Sequence, residues 1–192
     1  MSRTFTREEL LRHVGATVPD LVGDDVRLVV VGINPGLWTA ATETHFAHPS
    51  NRFYPALRAA GIVTRDIPPT GMDDDDRRHL TDRGIAITNV VARATARASE
   101  LTTAELREGG AALVERLARW SPRVVAVAGV TAYRAAFRRP KAVLGRQDED
   151  MAGAELWVVP NPSGLNAHET VDSLAEWYRQ VAEAAGVPVG GR

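Results

Sequence analysis

The run Val26-Arg27-Leu28-Val29-Val30-Val31-Gly32-Ile33 constrains the fold more than any other stretch of the chain. β-Branched and aliphatic residues in near-unbroken succession leave no polar face, so the segment reads as a strand buried on both sides. Such strands belong to parallel sheets, whose crossover connections are helices. The remaining sequence supplies the alternation this demands. Further strands are read at residues 84–91, 123–128 and 156–159, and helices at 51–60, 103–120, 131–138 and 169–185. Gly61 follows the first helix as a C′ glycine. Leu106, Leu113, Val114, Leu117 and Trp120 fall largely on one face of the second. The acidic run Asp73 to Asp76 reads as a solvated loop or a helix start. Residues 186–192 read as a frayed tail. The predicted fold class is α/β, a three-layer α/β/α sandwich with a central, mostly parallel sheet.

Length and composition narrow the classes further. A chain of 192 residues with 44% hydrophobic and 24% charged residues suits one packed domain over 1–192, its core at about 26–185. No apolar run approaches the ~20 residues that span a bilayer, and the N-terminus lacks the apolar core of a secretory signal. A soluble cytoplasmic protein with no membrane partner is expected. Without cysteine there is no disulfide, thiolate-held cluster or cysteine nucleophile. Of the five histidines only His45 and His48 are close in sequence, with no carboxylate at zincin spacing, so no metal is expected. A net charge of −1 leaves the partner open, because phosphate contacts need only a local positive patch.

In open parallel sheets ligands bind beyond the carboxyl ends of the strands. Polar segments beginning at Asn34, Asn89 and Asn161 occupy those ends, and the site is expected where they meet. Asn34-Pro35-Gly36 alone is no more than a turn. Its company changes the reading: Phe46-Ala47-His48-Pro49-Ser50-Asn51-Arg52-Phe53 follows it, and Asn161-Pro162-Ser163-Gly164-Leu165 follows the last strand.

In order and content these segments resemble the mismatch-specific uracil/thymine DNA glycosylase family, from about Arg27 to Tyr178. The resemblance implies a uracil-DNA glycosylase-like fold and a monofunctional, cofactor-free, monomeric enzyme. Such an enzyme removes uracil and related damaged pyrimidines paired with guanine in duplex DNA. It implies that Asn34 positions the attacking water. Phe46 matches the aromatic on which the flipped base stacks, and main-chain groups of Ile33 and Phe46 read the pyrimidine edge. Gly36 falls on the substrate side, and Asn89 either bonds a pyrimidine carbonyl or caps the strand end. His45 either touches the leaving base or is a solvent-facing loop histidine, and His48 and Asn51 brace the loop. Thr39 matches a pocket position near the 5-position of the base, where its bulk favours uracil over thymine.

On the DNA side, the resemblance makes Leu165 an apolar wedge and Ser163 a phosphate contact. Gly164 and Asn166 offer main-chain groups to the widowed guanine, and Asn161 is a further DNA-binding residue of the same loop. The chain departs from relatives at Ala92, where they carry an acid, and at Asn166-Ala167, where an enterobacterial relative has Ser-Arg. Two other readings of these residues stay open: a broader uracil glycosylase acting on U·A pairs and single strands, and a catalytically idle DNA-damage binding module. A nucleotide-binding α/β enzyme is more distant, since no Gly-rich phosphate loop follows the first strand.

Overall fold

In a computed structural model the structure describes residues 4–190. Five strands form one sheet: β1 (Leu28–Gly32), β2 (Ile85–Asn89), β3 (Val124–Ala128), β4 (Gly145–Arg146) and β5 (Glu155–Val159). Their spatial order is β2-β1-β3-β5-β4, with every pairing parallel except the short β4 against β5. The hydrophobic runs become strands with two buried faces because alternate residues point to opposite layers. Leu28 and Val30 join one apolar cluster, while Val29 and Val31 join the other.

The first cluster is covered by α3 (Phe53–Ala59) and α7 (Val171–Ala185), with Leu80 of α4 (Asp74–Thr81). The second is covered by α5 (Thr103–Trp120) and α6 (Val130–Phe137). The expected three layers are therefore present. Two further helices, α1 (Arg7–Leu11) and α2 (Leu37–Thr42), lie outside the sequence expectation. The first is a single turn and a half with no buried residue. The second buries Leu37, Trp38, Thr39 and Ala40 in succession, which erases the helical period that pattern reading relies on. None of the described helices is long and apolar enough to cross a membrane.

Three local readings need correction. The acidic run does begin a helix, with Asp73 as N-cap accepting from the Asp76 N–H. Asp76 is not solvated, however: it is buried, with Arg65 Nε 2.8 Å from its Oδ1. Val114 lies off the buried face of α5, which is carried by Leu113 and Leu117. The tail after α7 is not frayed where it is described: Val187 is buried, and the Gly190 N–H donates to the Gly61 carbonyl at 2.9 Å. Residues 191 and 192 lie outside the described residues. Gly61 does take the left-handed conformation expected of a C′ glycine, at φ 73°.

Helix α5 is pressed onto the end of β2. A Cβ on Gly109 would sit 2.4 Å from the Val90 carbonyl oxygen, a main-chain atom that cannot swing aside. Replacing a helical glycine by alanine ordinarily stabilises by about 1 kcal/mol. Here overpacking costs of ~1–3 kcal/mol oppose that gain and reverse its sign. Gly109→Ala is expected to lower the urea midpoint; an increase would show that α5 is free to move away from β2.

Candidate active site

The carboxyl ends of β1, β2, β3 and β5 open into a cleft of about 750 Å³. Its lining joins the three polar segments that sequence placed at the strand ends. Ile33, Asn34, Gly36, Thr39, His45, Phe46 and Asn89 all contribute, as do Asn161, Ser163, Leu165 and Asn166. Gly164 does not line the cleft; it is packed on Ser50, where an added Cβ would lie 2.5 Å from both Ser50 O and Ser50 Oγ.

Beyond β1 and β2 the two chains stay zipped together. Val90 N–H donates to Gly32 O at 2.9 Å, Val91 N–H to Ile33 O at 3.0 Å, and Thr95 N–H to Pro35 O at 3.1 Å. Within this ribbon the Asn34 amide nitrogen donates to Arg93 O at 3.1 Å, to Pro35 O at 3.2 Å and to Thr95 Oγ1 at 2.7 Å. Main-chain carbonyls only accept, so the nitrogen of the carboxamide is fixed on their side. Oδ1 is thereby the remaining end of the group, and among the described residues no donor is bonded to it.

Gly32 ends β1 in a space that excludes any side chain: a Cβ would lie 2.4 Å from Asn89 Oδ1 and 3.1 Å from the Phe46 ring. Phe46 itself stands at φ 58°, a left-handed conformation that costs a non-glycine residue on the order of 1 kcal/mol or more. Its surroundings enforce it. The ring packs on Phe53 at a centroid distance of 4.4 Å, and the Tyr54 hydroxyl donates to the preceding His45 carbonyl at 2.7 Å.

His45 is buried, at 4% exposure, so the solvent-facing reading of it is wrong. The loop turns it inward because both ring nitrogens find partners there. Nε2 lies 2.9 Å from Pro19 O and Nδ1 3.0 Å from Asn89 Nδ2. A carbonyl requires a donor and an amide NH₂ requires an acceptor, which assigns the neutral tautomer with its proton on Nε2. Burial holds the ring's pKa below the ordinary histidine value, with the Pro19 bond opposing. Asn89 thus spends one amide hydrogen on His45 and keeps its oxygen against Gly32. His48 and Asn51 brace the loop as expected: His48 Nδ1 is 2.9 Å from Ser50 Oγ, and Asn51 Oδ1 accepts from Phe53 N–H at 2.9 Å.

The segment after β5 forms its own turn network. Asn161 Oδ1 accepts from Ser163 N–H at 3.0 Å, and Asn166 Nδ2 donates to Asn161 O at 3.0 Å. At its tip Leu165 is 95% exposed.

Sequence reasoning missed the segment from Thr95 to Ser99, which lines the cleft and supplies Thr95 to Asn34. It also missed Arg52, and Arg97, which among the described residues is the one cleft-lining side chain that carries a full charge. Nothing in the local sequence marks Thr95, whereas Arg52 lies within the Phe46 to Phe53 motif, which is a signal for it. Among the described residues no group of His, Asp or Glu is placed to hold a metal ion.

Residues 19–184 match the sequence model of the uracil DNA glycosylase superfamily. The chain belongs to this superfamily. Its members are DNA glycosylases, hydrolases that act on DNA. The fold also matches the solution NMR structure of a candidate uracil DNA glycosylase from Methanosarcina acetivorans. That match has a TM-score of 0.60 and 16% identity, and covers 88% of this chain and 98% of the other. Its cleft at the strand ends gives this superfamily member a buried, neutral histidine, which has a consequence for stability. A folded-state pKa held below the unfolded value of ~6.5 means that the unfolded chain takes up the proton first on acidification. The associated stability is complete above pH ~6.5 and is lost as pH falls toward the depressed folded value. His45→Gln is expected to flatten that acid-side loss in denaturant titrations between pH 7.5 and 5, leaving the shallower slope due to His48 and His79, both also held low by desolvation. An unchanged pH profile would remove His45 from this account.

Proposed function

We propose that the protein is a monofunctional DNA glycosylase that hydrolyses the N-glycosidic bond of uracil, and of related damaged pyrimidines, mispaired with guanine in double-stranded DNA. The observation that carries the reading is the bonding of Asn34, whose amide nitrogen is held by Arg93 O, Pro35 O and Thr95 Oγ1. A carboxamide pinned in that way offers Oδ1 as a fixed acceptor, able to hold a water by one of its hydrogens and aim its lone pair at the anomeric carbon.

In the step as proposed, the C1′–N1 bond breaks with its electron pair leaving on the pyrimidine, and the sugar carries the developing positive charge. Water oxygen then bonds to C1′ and releases a proton to solvent. An amide cannot accept that proton, so the group orients the nucleophile without acting as a general base, and a slow enzyme follows. Phe46 supplies a stacking face, a contact worth ~1–3 kcal/mol per base. Main-chain groups of Ile33 and Phe46 bind the pyrimidine edge, and the amide hydrogen that Asn89 does not spend on His45 bonds a pyrimidine carbonyl. Gly36 leaves open space where a side chain would project, which suits a substrate lying against it.

On the DNA side, Leu165 enters the stack, Ser163 contacts a phosphate, and main-chain groups of Gly164 and Asn166 meet the widowed guanine, with Asn161 anchoring the loop. The enzyme works as a monomer and without a cofactor in this scheme. It has no lyase step: a Schiff base needs an amine, and the sole lysine, Lys141, follows α6 and is not among the cleft residues.

Two measurements test the reading. In single-turnover assays on U·G duplex with chelator present, Asn34→Ala is expected to slow excision by about 10²-fold or more while duplex binding persists. Asn34→Asp should not rescue the rate at neutral pH, because its carboxylate would face two carbonyls that demand a donor. The same reactions quenched with borohydride leave no protein–DNA adduct. Full activity of Asn34→Ala would end the proposal.

The second measurement concerns the base. Thr39 is buried in α2 and lines the cleft; in this reading its side chain takes the volume that a 5-methyl group would need. Thr39→Ala is expected to raise the G·T to G·U excision ratio by roughly 10-fold, the order of effect of one methyl group in an apolar pocket. A ratio that does not move refutes the steric explanation of uracil preference.

A further inference from the structure

We infer that Arg52 is a positioning residue that fastens the Leu165 loop to the loop carrying Phe46, making base pocket and wedge one rigid clamp. The inference rests on the proposed wedge role of Leu165. Its own support is a set of contacts between two segments far apart in sequence. Arg52 N–H donates to Pro162 O at 2.9 Å. Its Nη1 donates to Asn166 O at 2.9 Å and to Ser163 O at 3.3 Å. One residue thus bonds carbonyls on both sides of Leu165. Alongside, Gly164 lies flat on Ser50, so close that no Cβ fits between them.

Arg52 supplies the side-chain hydrogen bonds at this junction, and the packing of Gly164 on Ser50 supports them. Asn161, Ser163 and Asn166 bond one another and set the shape of the turn. Those internal bonds do not tie the turn to the loop that positions Phe46. Arg52 does, since it is the N-cap residue of α3, and Phe53, the first residue of that helix, carries the Phe46 ring. One nitrogen, Nη1, serves both carbonyls from the end of a planar group that is pre-organised for them, whereas an ammonium on a more flexible stem can reach them with poorer definition. Leu165 is then held at a constant offset from the aromatic that receives the base. Insertion of one and capture by the other become a single event.

The test separates the brace from the wedge. A duplex carrying 2′-fluoro-2′-deoxyuridine opposite guanine resists cleavage, and an adjacent 2-aminopurine reports extrusion by its fluorescence. Leu165→Ala is expected to lose most of the extrusion signal. Arg52→Met should shift the extrusion equilibrium roughly tenfold toward the stacked base, the scale of one charge-assisted hydrogen bond. Arg52→Lys should recover part of that loss. The double variant Arg52→Met/Leu165→Ala should be no worse than Leu165→Ala alone, because a brace has no purpose once the wedge is gone.

Full extrusion by Leu165→Ala would sink the wedge reading and the brace with it. Normal extrusion by Arg52→Met, or independent, multiplicative losses in the double variant, would overturn the brace and leave the wedge standing. If Arg52→Met does not fold, Gly164→Ala attacks the same junction from the other side, where its Cβ must displace Ser50. The same tenfold loss is expected there, and an unchanged signal overturns the inference.

Discussion

Two main-chain carbonyls, Arg93 O and Pro35 O, decide what the side chain at position 34 can be. They exist where they do because the ribbon beyond β1 and β2 continues to pair after the strands end. A residue facing them must donate, must be short, and must still present something useful at its other end. Asparagine meets all three conditions; aspartate fails the first at neutral pH, and serine or threonine lacks the second polar atom. The amide at this point therefore follows from backbone geometry. Any chemistry at this position has to use a neutral carboxamide, which does not take a proton.

The rest of the cleft keeps to the same economy of charge. His45 is neutral because burial and two directional partners leave no place for a second proton. Asn89, Thr39, Thr95 and Asn161 are neutral by nature, and among the described residues Arg97 stands as the one full positive charge along the lining. In the reaction as proposed, a departing pyrimidine anion would be stabilised by fixed dipoles, which need no reorganisation at the moment of bond breaking. The precision those dipoles require comes from packing: Gly32 admits Phe46 and Asn89 to the backbone, Phe53 backs the ring, and Tyr54 holds the strained turn before it.

Much of this was legible in the sequence because it is carried by strong local signals. The apolar runs at 28–31, 85–87 and 124–128 could be little else than buried strands, and their ends located the cleft. The Asn-Pro-Gly segment and Asn161, Ser163 and Leu165 of the Asn-Pro-Ser-Gly-Leu segment are among the residues that the fold brings together. What stayed hidden depended on tertiary partners. Helix α2 buries successive residues and so shows no period. The two-residue β4 has too little sequence to carry a pattern. His45 looked like a loop histidine because its partners, Pro19 and Asn89, lie far away in the chain. Thr95 becomes meaningful only once the ribbon beyond β2 is known to run beside Asn34.

Magnitudes explain why a wedge would need a brace at all. Leu165, at 95% exposure, has nearly all of its apolar surface still to bury. Burying a leucine contributes ~1.5–3 kcal/mol, while extruding a base costs a few kcal/mol, less at a mismatch. The two are of the same order, so no large surplus is available. If the loop were disordered before contact, fixing its backbone would cost ~1–2 kcal/mol per residue and would consume the gain within two residues. Ordering the tip beforehand, through Asn161, Asn166 and the carbonyls held by Arg52, moves that cost into folding, where the large apolar layers on either side of the sheet can absorb it. On these numbers a leucine finger favours extrusion only when its loop is rigid before the duplex arrives.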